Sequence, residues 1–387
     1  MWANIIRQSA TKNFFLEICF FVFIHFIIHA MQRIKLVVFA FLLGSCNQPN
    51  IISPSQTETT AIPQKVVEDN PMQPISEAGV VIQSVPVNHA PSDSFSIYLP
   101  KTFDSSNKTP LMVFFDPHGE SLKVLNLYKD LANKYGYIIA CSKTAFNSLP
   151  QAQGIASANN LLADFKKRYR LDESRIILSG FSGAAKIAIE VGCTNSDVDG
   201  IVYSGSVTQW SNLNHPVSFL GIAGKADMNY TDLVSFHQSQ NLVNEPHYMI
   251  EWNGKHEWAN AETFENAFLF PFSNIPTNKL FVFDEKLRQK FEMEKQLRQA
   301  YYAAISTQNL SWWKTEAKNL HAKENSELMY KRLLGTVSLA CYSLSRNYLA
   351  QNDLDKAEKI LFIYELVDPG NKDRAYFYED FKRRKGM

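Results

Sequence analysis

Three residues at wide intervals carry the chemistry this chain could do: Ser182, Asp227 and His256. Ser182 sits in RIILSGFSGAAKIAIE, residues 175 to 190. There Ile176, Ile177 and Leu178 form an apolar run suited to a buried strand. Gly180-Phe181-Ser182-Gly183-Ala184 turns the chain, and Ala185 to Glu190 predicts a helix with a stop at Gly192. A strand, a sharp turn and a helix with serine at the tip would hold a hydroxyl clear of the sheet edge. Small residues at 180, 183 and 184 would keep strand and helix from colliding. A serine hydroxyl is a weak nucleophile at neutral pH and needs an imidazole to take its proton. The imidazole in turn needs a carboxylate to fix its tautomer. Asp227 follows the apolar run Val217 to Ala223, and His256 follows the β-prone run Tyr248 to Trp252. Taken singly, each reads as an ordinary loop residue. Their order, and their shared place at strand ends, points to nucleophilic chemistry. Asp232, His237 and His247 are rivals with poorer placement. The first two lie beyond a strand end and His247 at a strand's beginning.

A serine attacking a carbonyl creates an oxyanion, which backbone N–H groups must meet. Gly183 is the expected first donor. The second is expected from Asp116-Pro117-His118-Gly119, with His118 or Gly119 giving the amide or the His118 side chain lining the pocket. Phe181 and Trp258, beside the catalytic candidates, are candidate substrate-binding aromatics, with core packing the other option. The cysteines lack metal-ligand spacing, and neither a metal nor a cofactor is expected.

The supporting elements alternate. Strands are predicted at Phe95 to Leu99, Leu111 to Phe115 and Tyr137 to Cys141, and helices at Leu122 to Tyr135 and Ala152 to Tyr169. A polar loop, Ser142 to Pro150, precedes the second helix. Such alternation predicts an α/β domain, a mostly parallel sheet with helices on both faces and ligands at the strands' carboxyl edge. Together FFDPHG, SGFSGAAKIA, GIAGKAD and WNGKHEW resemble the α/β-hydrolases, in particular the small esterase branch of feruloyl esterases, polyhydroxyalkanoate depolymerases and dienelactone hydrolases. The resemblance covers roughly Ser94 to Phe272 and implies a three-layer α/β-hydrolase fold. It implies Ser182 as nucleophile, Asp227 as acid, His256 as base, and Gly183 with the His118-Gly119 loop as oxyanion hole. The implied reaction is hydrolysis of a small-molecule or polymer-linked ester through an acyl-enzyme. Ala184 departs from the glycine the motif prefers. No long insertion separates Ser182 from Asp227, which predicts a site open to bulky substrates. A non-catalytic scaffold on the same fold, and a peptidase, stay open as alternatives.

With 387 residues, 45% hydrophobic, the chain can bury one large core or two smaller ones. A net charge of +1 excludes a broad nucleic-acid footprint. Residues 1–46 read as an N-terminal extension and a lipoprotein signal. From Met31 the string MQRIKLVVFAFLLGSC has the charged, apolar and small-residue regions of a signal peptide. Its end, Leu43-Gly44-Ser45-Cys46, resembles the lipobox of bacterial lipoproteins. That implies lipidation of Cys46 and a protein anchored to a membrane of the cell envelope. Translation from Met1, with Phe14 to Ile28 as a span, is the competing reading, and Glu17 and His25 make that span a poor one. Residues 47–78 are rich in Pro, Ser, Thr and Gln and read as a disordered tether. A hydrolase domain is expected over 79–277 and a helical module over 278–387. In the module, helices are predicted at Lys279 to Ala303, Trp312 to Leu320 and Ser326 to Ala350. Leu344, Ser345, Tyr348, Ala357, Leu361 and Pro369 match tetratricopeptide spacing, with a hairpin packed on the hydrolase domain as the alternative. A protein partner at these helices is a further expectation. Cys19 falls in the segment expected to be removed. Cys141, Cys193 and Cys341 are expected as buried thiols, a single disulfide being the other option.

Overall fold

The computed structural model describes residues 76–147, 149–208, 213–240 and 246–387. Cys46, the signal, Cys19 and most of the tether lie outside the described residues. Eight strands form one sheet: β1 (Val81–Val87), β2 (Ala90–Tyr98), β3 (Thr109–Phe115), β4 (Ile138–Ser142), β5 (Leu171–Phe181), β6 (Gly200–Ser204), β7 (Ser218–Gly224) and β8 (His247–Trp252). Their order is β1-β2-β4-β3-β5-β6-β7-β8. β2 runs antiparallel to β1 and β4, and every pair from β4 to β8 is parallel. This order and these directions are those of the α/β-hydrolase fold.

Alternation along the strands divides the core into two layers. Leu111, Val113 and Phe115 of β3 face the helices α2 (Gln151–Arg168), α3 (Ala185–Thr194) and α4 (Tyr230–Gln240). Met112 and Phe114 face α1 (Ser121–Tyr135) and the segment 258–275, which includes the short α5 (Ala261–Phe264). β3 is buried along its whole length, as a strand covered on both faces must be.

Three local features differ from the sequence expectation. β1 goes unread because Ser84 (φ +55°) bulges the strand and Pro86 removes a donor, so no clean alternation survives. Gly192 does not end α3, which runs on to Thr194. A Cβ there would stand 2.4 Å from Ile201, so this glycine lets the helix lie close on β6. Lys279 closes a short 3₁₀ turn, Thr277–Lys279, and residues 280–284 are not helical. Phe281 donates its N–H to Met249 O at 2.7 Å along the β8 edge, and helix α6 (Glu285–Thr307) begins after the Asp284 cap. Phe281 and Phe283 pack on the core while Val282 between them is exposed, as along an edge strand.

The remaining chain is α7 (Leu310–Lys323), α8 (Leu328–Ala350), α9 (Leu354–Val367) and α10 (Lys372–Lys385). Side chains of Asn309, Asp353 and Asn371 cap three of these helices, satisfying N–H groups that have no intrahelical partner. Trp313, Leu333, Val337, Cys341 and Ile360 build a core of their own.

Candidate active site

Ser182 stands where β5 ends and a single 3₁₀ turn, Ser182–Ala184, leads into α3. Its φ of +52° is left-handed, a conformation a serine adopts only when its surroundings impose it. The imposing contact is at Gly180, where a Cβ would lie 2.5 Å from Ala185 Cα and 2.6 Å from Ala184 O. The helix therefore starts directly against the strand, and the hydroxyl is pushed out at the sheet edge.

Asp227 and His256 come from the loops after β7 and β8. Ser182 Oγ lies 2.8 Å from His256 Nε2. His256 Nδ1 lies 3.0 and 3.1 Å from the two oxygens of Asp227. A carboxylate only accepts, so the imidazole proton belongs on Nδ1, leaving the Nε2 lone pair toward the serine hydroxyl. Asp227 is 1% exposed, and its Oδ1 also accepts the Asn229 N–H at 2.8 Å. Asn229 Nδ2 donates to Gly205 O at 2.7 Å, which ties the acid loop to the end of β6. β6 is a strand the sequence reading passed over, because its five residues open on Gly200.

The oxyanion side differs from expectation. Asp116 is 2% exposed, and its Oδ1 accepts the N–H of His118 at 2.9 Å and of Glu120 at 3.0 Å. The Gly119 N–H goes to Asp116 O at 3.2 Å. Neither His118 nor Gly119 thus offers a free amide, because the aspartate ending β3 gathers them into a tight turn. The His118 side chain instead lines the cleft. Gly183 holds the first turn of a helix, where amides have no intrahelical acceptor. Against it packs the Asn147 carboxamide, whose Oδ1 and Nδ2 lie 2.3 and 2.4 Å from where a Cβ would stand. Asn147 lines the cleft, a place the sequence did not reveal, since nothing local marks one asparagine in a polar loop.

Phe181 and Trp258 do not line the cleft. Each is 7% exposed, and their rings pack on each other at 5.4 Å, with Phe181 also 4.9 Å from the His256 ring. Trp258 Nε1 donates to Asp116 Oδ2 at 2.9 Å. These aromatics back the site from the core instead of touching a substrate.

The rivals are occupied elsewhere. Asp232 pairs with Arg298 at 2.9 Å. His247 Nε2 lies 2.7 Å from the Tyr203 hydroxyl, and burial with the neighbouring His237 pushes its pKa down to about 3. Burial pushes His237 down to about 4. Cys141, Cys193 and Cys341 are free and buried, and burial pushes the Cys193 thiol up to about 12. Among the described residues no group of three or more His, Cys, Asp or Glu could hold a metal ion.

A cleft of about 1400 Å³ opens over Ser182 and His256. One wall is Pro117, His118, Phe146, Asn147 and Lys186; the other is a face of α8 bearing Leu328, Lys331, Gly335, Ser338, Leu339, Tyr342 and Arg346. That face repeats at three- and four-residue steps and spans roughly 27 Å at a rise of 1.5 Å per residue. The helical module is therefore part of the cleft.

No family model matches the chain, and no curated protein matches it. Among solved structures it is similar to S-formylglutathione hydrolase from Staphylococcus aureus, with 14% identity over 49% of this chain and 98% of that one, TM-score 0.41. Esterase 2 of Thermogutta terrifontis matches at 14% identity over 51% of this chain and 96% of that one, TM-score 0.41. Esterase B of Lactobacillus rhamnosis matches at 14% identity over 52% of this chain and 88% of that one, TM-score 0.42.

Proposed function

We propose that this chain is a serine hydrolase that cleaves carboxylic esters through an acyl-enzyme. The observation carrying the proposal is the continuous line Ser182 Oγ–His256 Nε2 and His256 Nδ1–Asp227, closed at 2.8, 3.0 and 3.1 Å. His256 takes the Ser182 proton as Oγ attacks the carbonyl, and Asp227 stabilises the imidazolium that forms. The tetrahedral oxyanion is met by the Gly183 N–H at the start of the α3 turn. His256 then returns the proton to the leaving alcohol, and water attacks the acyl-serine by the same route in reverse.

A cleft of about 1400 Å³ exceeds the roughly 300–1,000 Å³ of sites for small ligands, which supports an ester carried on an extended molecule. The sequence Leu43-Gly44-Ser45-Cys46 supports attachment through a lipid on Cys46, which would hold the enzyme at a membrane of the cell envelope.

A fluorophosphonate probe tests the catalytic reading. Wild type is labelled, Ser182→Ala is not, and p-nitrophenyl butyrate is turned over only by the former. A well-folded wild type that neither labels nor turns over short esters would falsify it.

A further inference from the structure

The loop bearing Asp227 is held from outside the hydrolase domain. Arg332 of α8 donates from Nε and Nη2 to Glu294 of α6 at 2.7 and 2.5 Å, a two-pronged pair in which Glu294 is 2% exposed. Its remaining arm, Nη1, donates to Lys225 O at 2.5 Å, and the guanidinium carbon lies 4.6 Å from the centre of the Tyr230 ring. Lys225 and Tyr230 stand two residues before and three after Asp227. Arg298 of α6 grips the loop further on, pairing with both oxygens of Asp232 at 2.9 Å and donating to Thr231 Oγ1. Between the two arginines, Gly335 of α8 meets Met228 so closely that a Cβ would stand 3.1 Å from Met228 Cβ.

These contacts are poorly explained as stability alone. A buried ion pair roughly breaks even against apolar residues of the same volume, because desolvating two charges offsets their attraction. What the guanidinium adds is geometry: a rigid fork holds Glu294 while the third donor fixes one carbonyl of the acid loop. An error of about 1 Å in the acid would be carried to the imidazole and from there to the nucleophile.

We infer that Arg332 is a positioning residue for Asp227, and that the helical module is a working part of the active site. The inference rests on the hydrolase reading above for its kinetic consequence and on the contacts of Arg332 for its geometry. Arg332→Ala alone leaves Glu294 buried and unpaired, so the decisive variant is the double change Arg332→Met with Glu294→Met. It removes both charges and keeps the volume. In the full chain this variant folds, kcat for p-nitrophenyl butyrate falls about a hundredfold with KM within about threefold, and the single change Arg332→Lys, which keeps the charge but not the fork, also lowers kcat. As a control, the buried pair Arg168–Asp164, neither of which lines the cleft, is replaced in the same way with no change in kcat.

A second readout is independent of turnover. The far-downfield proton resonance of His256 Nδ1–H is present in wild type and lost or shifted in the double variant. A folded double variant with wild-type kcat and an unmoved resonance overturns the inference. A resonance that moves in a protein hydrolysing no ester keeps the inference about Asp227 and sinks only the hydrolase reading.

Discussion

Ala226 donates its N–H to the carbonyl of Gly254 at 2.9 Å, lacing the loop that carries Asp227 to the loop that carries His256. Lys225 adds a second stitch, its N–H reaching Trp252 O at 2.9 Å. The loops of Asp227 and His256 are therefore joined by main-chain bonds between neighbouring strand ends. Lys225 is held on both sides, since its own carbonyl accepts from Arg332.

The two aspartates of this loop should separate cleanly. Asp227→Asn leaves the imidazole without an acceptor that fixes its proton on Nδ1, and kcat is expected to fall by about 10⁴. Asp232→Asn removes a half-exposed partner of Arg298, worth at most about 1 kcal/mol, so turnover should drop no more than about fivefold. Steady-state kinetics of both variants checks the assignment; the reverse ranking would make Asp232 the acid.

A different loss is expected at the oxyanion. The amides of His118 and Gly119 are spent on Asp116, which leaves the Asn147 carboxamide beside Gly183 as the side-chain donor at hand. Asn147→Ala keeps the backbone bond from its N–H to Pro117 O at 3.2 Å and deletes only the amide. The expected result is a fall of about 10² to 10³ in kcat with little change in KM. A wild-type kcat would remove Asn147 from the site.

Much of this arrangement was legible before any coordinates, and the reasons are physical. Ser182, Asp227 and His256 each end an apolar or β-prone run, and a parallel sheet sends such ends to one edge. The strand alternation of β3 and the αL stop at Gly136 (φ +71°) were equally plain. What stayed hidden depends on distant partners. Asp116 reads as a strand terminus, yet its capture of two amides and the Trp258 indole decides what the loop can donate. Phe181 and Trp258 lie close to Ser182 and His256 in sequence but point back into the core, a choice of face that strand alternation alone could not assign. Arg332 is one of many cations on a helical face until Glu294 and Lys225 are brought to it.

Two buried histidines should give the fold a pH dependence of its own. His247 and His237, ring centres 5.0 Å apart, are held neutral with folded-state values of about 3 and about 4. In the unfolded chain each titrates near 6.5, so below that pH the unfolded state binds more protons. Stability therefore rises with pH across this window, is fully present above about 6.5, and is lost as pH falls toward the folded values. Each histidine accounts for roughly 2 kcal/mol between pH 6.5 and pH 5. Urea midpoints measured at the two pH values should differ in that direction. The difference should shrink in the variant His237→Leu with His247→Gln; an undiminished slope would place its origin elsewhere.

The wall that α8 gives the cleft can be probed without touching the triad. Leu339 is 38% exposed and faces the cleft beside Ser338 and Tyr342. Leu339→Trp fills space along the helix while leaving the Ser338–Asp368 bond, 2.6 Å, in place. A short ester such as p-nitrophenyl acetate needs only the region around Ser182, so its kcat/KM should stay within about twofold, as for a surface change. An ester carried on a long chain must lie along α8, and its kcat/KM should fall about tenfold or more through steric exclusion. The ratio of the two substrates cancels any general loss of active protein. If both esters respond alike, the face of α8 is a boundary of the cleft that substrates never reach, and specificity must come from the β3 and β4 loops opposite.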